Sequence, residues 1–152
     1  MSSSIKSLST KKVNSFLIAK IRKGMNIKLR KKMTKSFFFN AIRLLNDSAP
    51  VHTNDEWAKR LGIKKKIFPG LAVVSVFSKM IGMYLPGKNA IIMNLDFSFR
   101  KPVFENDKLV YVCEVNKVIN SLKIVLLKLY IFKKNNKIIE GNCTCKILRN
   151  NE

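Results

Sequence analysis

The last sixty residues constrain this chain more than anything else in it. From Ala90 onward the sequence falls into four long strand-like runs, 90–100, 108–119, 123–133 and 137–148. Their separators are short and rich in turn residues: Glu105-Asn106-Asp107, Asn120-Ser121 and Asn135-Asn136. Long strands joined by such short connections pair antiparallel, because a parallel crossover needs a dozen residues or more. A further strand is predicted over 25–33, which gives about five. Between these segments lies Leu71 to Leu85, opened by Pro69-Gly70 and closed by Pro86-Gly87, and apolar nearly all round. A helix of that kind is expected in the middle of a domain. The expected fold is therefore α+β, a curved antiparallel sheet of about five strands wrapped around a central buried helix.

The chain has 152 residues, enough for one domain with a real core. Residues 1–20 are rich in Ser and Lys and read as a basic N-terminal arm or a targeting segment, with a single domain over 21–152. They lack the sustained apolar core of a secretory signal. The run from Leu71 to Leu85 contains Lys79 and is too short to span a bilayer. The expected location is the cytoplasm, with a mitochondrial or other organelle matrix as the alternative.

Thirty Lys and Arg against nine Asp and Glu give a formal charge of +21. Lys, Asn and Ile are all abundant, as an AT-rich coding sequence produces, so part of this charge is compositional. The rest suits a polyanionic partner: nucleic acid, an acidic membrane surface, or an acidic protein or cofactor. The basic residues are scattered along the whole chain and form no recognisable nucleic-acid module, so nucleic acid is not the expected partner. Cys113, Cys143 and Cys145 give an odd cysteine count and read as structural thiols in a reducing compartment. His52 is the only histidine, so no metal site is expected.

Between the first strand and the central helix, Thr34 is placed to cap a helix through Leu45. Asn54 is placed to cap a shorter one from Asp55 to Leu61, with Gly62 as its stop. These two helices bracket Asp47-Ser48-Ala49-Pro50-Val51-His52. Asp47 is the first acidic residue of the chain. A carboxylate and an imidazole five residues apart diverge on a continuous helix. Pro50 rules out such a helix and favours a turn that lets the two converge on one water molecule, as acid–base chemistry requires. An Asx-turn aspartate and an exposed loop histidine fit the same residues.

Four motifs occur in order: Asp47-Ser48-Ala49-Pro50-Val51-His52, Phe68-Pro69-Gly70, Leu85-Pro86-Gly87, and Phe99-Arg100-Lys101-Pro102-Val103 followed by Asn106-Asp107. Together they resemble the MaoC-like dehydratases, or (R)-specific enoyl-CoA hydratases, of the hot-dog fold, in register over about residues 21–148. The resemblance implies hydration of trans-2-enoyl thioesters and the reverse dehydration of (R)-3-hydroxyacyl thioesters. It implies Asp47 and His52 as the catalytic pair, and Gly70 as the backbone N–H donor to the thioester carbonyl. Ser78 is the implied supporting residue. The expected partners are an acyl-CoA or acyl carrier protein substrate and a second copy in a homodimer. No cofactor is expected beyond the coenzyme A or phosphopantetheine that enters with the substrate. Two positions depart from the family pattern: Ala49 replaces its Asn and Pro69 replaces its His. A catalytically inactive module that binds acyl carriers, and a basic nucleic-acid-associated protein, are the alternatives. Phe97, Phe99 and the methionines are read as core.

Overall fold

The structure is a computed structural model, and it describes residues 12–148. Five strands form one antiparallel sheet: β1 (Asn26–Lys32), β2 (Ala90–Phe99), β3 (Lys108–Ile119), β4 (Ile124–Lys133) and β5 (Asn136–Ile147), in the order β1-β3-β4-β5-β2. The helices are α1 (Lys35–Leu45), α2 (Pro50–Thr53), α3 (Asp55–Arg60), α4 (Gly70–Val74) and α5 (Val76–Met83). This is the expected α+β layout, with β2 and β1 at the two edges of the sheet.

Strand alternation builds the core. Along β4 every second residue is buried, as the period of two demands of a half-covered sheet. Leu127, Leu129 and Ile131 join Tyr111, Val115 and Cys145 on the inner face, each at most 1% exposed. Against them lie Phe77, Met80 and Ile81 of α5, also at most 1% exposed. The Phe77 ring sits between Phe97 at 5.6 Å and Tyr111 at 5.4 Å. Register shifts leave one extra residue in each of β2, β3 and β5 (Met93, Asn116 and Ile138), bulges that bend the sheet around this helix. All three cysteines are buried and free, and burial pushes the Cys113 thiol well above its ordinary pKa.

Both predicted caps form. Phe37 N–H donates to Thr34 Oγ1 at 3.2 Å, and Trp57 N–H donates to Asn54 Oδ1 at 3.0 Å. The central helix differs from expectation: it is two helices, broken at Ser75. At the break Ser75 Oγ donates to Ala72 O at 2.8 Å and Tyr111 O–H donates to Val73 O at 3.0 Å. A side-chain hydroxyl that bonds back to its own helix bends it. Nor is the helix buried all round, since Leu71, Ser75, Ser78 and Lys79 are exposed.

Residues 1–11 of the basic arm lie outside the described residues. The rest of it packs on the domain. Asn14 N–H donates to Met83 O at 2.7 Å and Lys88 N–H donates to Asn14 O at 3.0 Å. Gly87, at φ +98°, is needed there, because a Cβ would stand 2.2 Å from Asn14 O. No helix among the described residues is long and apolar enough to cross a membrane.

Candidate active site

Helix α1 ends at Asn46, which takes the left-handed conformation (φ 48°) and donates its N–H to Arg43 O and Ile42 O. Asparagine tolerates that conformation better than most residues. The chain reverses there, and Asp47 N–H donates to Ile42 O at 3.2 Å. Asp47 Oδ1 then accepts the N–H of Ala49 at 3.1 Å, an Asx turn, which leaves Oδ2 free. Pro50 opens the four-residue helix α2, where its missing N–H costs nothing, and His52 follows on that helix.

The turn brings the two predicted residues together. His52 Nε2 lies 3.6 Å from Asp47 Oδ2, with the imidazole 13% and the carboxylate 33% exposed. His52 Nδ1 lies 2.9 Å from Ile67 O. A carbonyl oxygen only accepts, so Nδ1 carries a hydrogen, and Nε2 is the ring nitrogen that faces Asp47. With Nε2 unprotonated the two atoms are both acceptors and do not bond each other, and at 3.6 Å they are close enough to share one donor at about 2.8 Å from each. Water is such a donor, with one hydrogen for each acceptor.

The imidazole is braced at two points. Ile67 N–H donates to Val51 O at 3.1 Å, so residue 67 grips helix α2 through both its backbone groups. Phe68 N–H donates to Val103 O at 2.9 Å and holds the same segment to the loop after β2.

His52 and Gly70 line one cavity of about 400 Å³, with Ile63, Ile67, Val73, Val103 and Ile139 as its apolar wall. That volume suits a small-molecule site. Gly70 is the first residue of α4. Its N–H has no acceptor among the described residues, as expected of a first-turn amide. A Cβ on residue 70 would come within 2.9 Å of Phe99 Cε1, so the glycine is what lets that ring lie against the helix start. Asp47 does not line the cavity and reaches it only through His52. Ser78 is exposed on α5 and lies outside the cavity.

Sequence reading missed much of the wall. Phe99 was expected in the core, yet its side chain is half exposed and lines the cavity. Phe97, two residues earlier, does pack on the core, against Phe77. Arg100, Lys101 and Pro102 also line the cavity. The signal was present, because these residues belong to the Phe99–Val103 motif. Ile67 contributes through its carbonyl, which no side-chain pattern reveals.

An (R)-specific enoyl-CoA hydratase of Rhodospirillum rubrum is 26% identical over 127 residues, 84% of this chain and 88% of its own length. The solved (R)-hydratase from A. caviae superposes with a TM-score of 0.78 at 26% identity, over 84% of this chain and 98% of that one. The chain shares the hot-dog fold of that hydratase and is similar to it in sequence. A mitochondrial 3-hydroxyacyl-(acyl-carrier-protein) dehydratase of Solanum lycopersicum is 33% identical over 98 residues, 64% of this chain and 55% of its own length. No protein-family model matches the chain.

The two departures from the family pattern fall on backbone work. Ala49 offers its N–H to Asp47 and its carbonyl to His52 N–H, at 2.9 Å. Pro69 precedes α4 and accepts Val73 N–H at 3.2 Å.

Proposed function

We propose that this chain is a hydro-lyase that adds water to trans-2-enoyl thioesters and removes it from (R)-3-hydroxyacyl thioesters. The observation that carries the reading is a carboxylate and an imidazole facing each other at 3.6 Å, with the imidazole in one cavity with a free backbone N–H. Water donates one hydrogen to Asp47 Oδ2 and the other to His52 Nε2, which turns an oxygen lone pair toward the β-carbon. As the new C–O bond forms, Asp47 accepts a proton. The electrons of the double bond move onto the thioester oxygen, where Gly70 N–H stabilises them. The proton is returned to the α-carbon, with His52 orienting the water and helping the relay.

Placed acid–base groups contribute about 10²–10⁴-fold, and one preorganised donor at a developing oxyanion about 2.7–4 kcal/mol. The Asp47–His52 pair and the Gly70 amide carry the scheme. Ser78, on the exposed side of α5, would support the site only indirectly.

The active species is a homodimer in this reading. The edge strand β2 leaves one side of its backbone unpaired, and Ile91, Met93, Leu95 and Phe99 along it are 50%, 62%, 42% and 50% exposed. A long apolar edge needs a cover, and a second copy of β2 supplies one. Phe99 then sets the cavity beside the subunit boundary.

The test is loss of the enoyl-thioester absorbance band with crotonyl-CoA and medium-chain substrates, with chiral analysis of the product. Formation of the (R)-alcohol is expected. An (S)-product, or no turnover at any chain length, overturns the reading.

A further inference from the structure

We propose that the end of the sheet beside the cavity is a docking surface for an acidic protein that carries the acyl group. This rests on the thioester reading above.

Strands β1, β4 and β2 finish at this end, and β3 and β5 begin there. Lys32 is in register with Lys108, Leu109 with Lys133, Phe132 with Lys137, and Phe99 with Ile139. Every strand therefore brings a cation to the same rim: Lys32, Lys108, Lys134, Lys137 and Lys101. Four interstrand spacings spread these charges over about 19 Å.

The acids of this rim are Glu105, Asp107 and Glu140. Asp107 is already paired with Lys133 at 2.6 Å, and Glu140 with Arg100 and Lys137. Among the described residues, Lys32, Lys101, Lys108 and Lys134 have no carboxylate within 4 Å. Between β1 and β3 the rim opens into a cleft of about 420 Å³ walled by Arg30, Lys31, Lys32, Lys108 and Lys134.

The cavity borders this rim. Arg100 and Lys101 line it, and Arg100 N–H donates to Ile138 O at 2.9 Å, at the start of β5. Lys64 and Lys133 lie over the same ring, Phe104, at 4.6 and 5.5 Å. This ties the loop above the cavity to the sheet end.

The spread of charge selects the occupant. A nucleotide-terminated thioester carries its phosphates on one arm and meets only the cations along that arm. Unpaired cations at four of the five strand ends, most of them outside the cavity, match acids distributed over a folded surface. Lys88, Lys117 and Lys123 stand at the far end of the sheet, roughly 30 Å away along β3. A carrier bound there could not place its thioester in the cavity.

The experiment compares two charge reversals of equal size, K32E/K108E/K134E at the rim and K88E/K117E/K123E at the far end. The affinity for a fluorescently labelled acyl carrier protein is read by anisotropy, and kcat/KM is read for crotonyl-carrier and crotonyl-CoA. The rim variant is expected to weaken carrier binding by about tenfold or more, and to lower the carrier-to-CoA ratio of kcat/KM by a similar factor. The far-end variant is expected to change both by less than about twofold. Equal losses from the two variants overturn the proposal, because steering by net charge would then explain them. Tighter binding of a single-stranded oligonucleotide than of the carrier, with only the oligonucleotide sensitive to the rim variant, also overturns it. Turnover of crotonyl-CoA without carrier binding sinks the surface and keeps the chemistry. Carrier binding without turnover of either thioester sinks the chemistry and keeps the surface.

Discussion

Replacing Asp47 by Asn separates chemistry from architecture at the residue on which the proposed mechanism turns. Oδ1 of Asp47 holds the turn by accepting Ala49 N–H, and Oδ2 faces His52. An asparagine keeps the first contact through its own carbonyl oxygen. It replaces the second oxygen with an amide that donates and cannot take a proton. The structural cost is small: a partly exposed pair 3.6 Å apart is worth at most about 1 kcal/mol. The catalytic cost is the whole acid–base contribution, about 10²–10⁴ in kcat, or about 2.7–5.4 kcal/mol at 1.36 kcal/mol per decade. Crotonyl-CoA hydration followed at the enoyl band, beside a urea titration of the same preparation, measures both. The expected result is a denaturation midpoint close to the parent's and a kcat lower by at least a hundredfold. A variant that folds like the parent and keeps more than a tenth of its kcat refutes the proton-transfer role of Asp47. The Asp47→Ala variant loses the Ala49 contact as well, and should be less stable than Asp47→Asn by about 1 kcal/mol.

Phe99→Ala should enlarge the cavity and favour longer acyl groups; at about 0.8 kcal/mol per buried methylene, the six-carbon to four-carbon kcat/KM ratio should rise by up to about fifteenfold. An unchanged ratio would mean the ring does not limit the site. Met93→Lys places a charge on the bulge of the edge strand and should shift the protein from dimer to monomer in light scattering. A parent that is already monomeric, or a variant that stays dimeric, rejects the β2 interface. Tyr111→Phe removes the donor to the Val73 carbonyl inside the core and should cost about 1–3 kcal/mol in a urea titration, with no new band in the enoyl assay. Glu140 is held down to a pKa of about 2 by hydrogen bonds from Arg100 and Lys137. A depressed carboxyl stabilises the fold above its unfolded pKa, and that contribution fades as pH falls through about 2. Glu140→Gln should therefore flatten the acid limb of a stability–pH curve between about pH 4.5 and 2.

The strand pattern was legible because it is local. Alternation in 124–133 and the turn residues around it mark β4 and its neighbours without reference to anything distant. Thr34 and Asn54 were legible for the same reason, since a capping side chain bonds its own first turn. The break at Ser75 was hidden, because part of what fills it is the hydroxyl of Tyr111, thirty-eight residues along the chain from the Val73 carbonyl it bonds. Within the site, Asp47, His52 and Gly70 show themselves as residue types that chemistry needs. The carbonyl of Ile67 cannot, since every residue has one and only the fold aims it. Phe99 misled because an aromatic residue at an inward strand position is ordinarily core. The strand ends at the sheet's edge, and there the same orientation points into a cavity.

That dependence on backbone groups bears on the two departures from the family pattern. Both have the look of damage in the sequence: an asparagine reduced to a methyl at residue 49, and a histidine exchanged for a ring without an N–H at residue 69. In the structure the dyad's geometry is held elsewhere. Asp47 is oriented by the amide of residue 49, which alanine retains. His52 is oriented by the carbonyl of residue 67, and that residue's own N–H is anchored to Val51. Pro69 lies two positions beyond this brace, where its fixed φ of −55° leads the chain into α4 and delivers Gly70 to the cavity. The substitutions thus change side chains beside Asp47 and His52 and leave intact the backbone contacts that position them. Restoring them, as Ala49→Asn and Pro69→His, should change turnover through KM or substrate range and leave the Asp47→Asn defect unrelieved. Recovery of hydration by Ala49→Asn in an Asp47→Asn background would show that residue 47 is not the base.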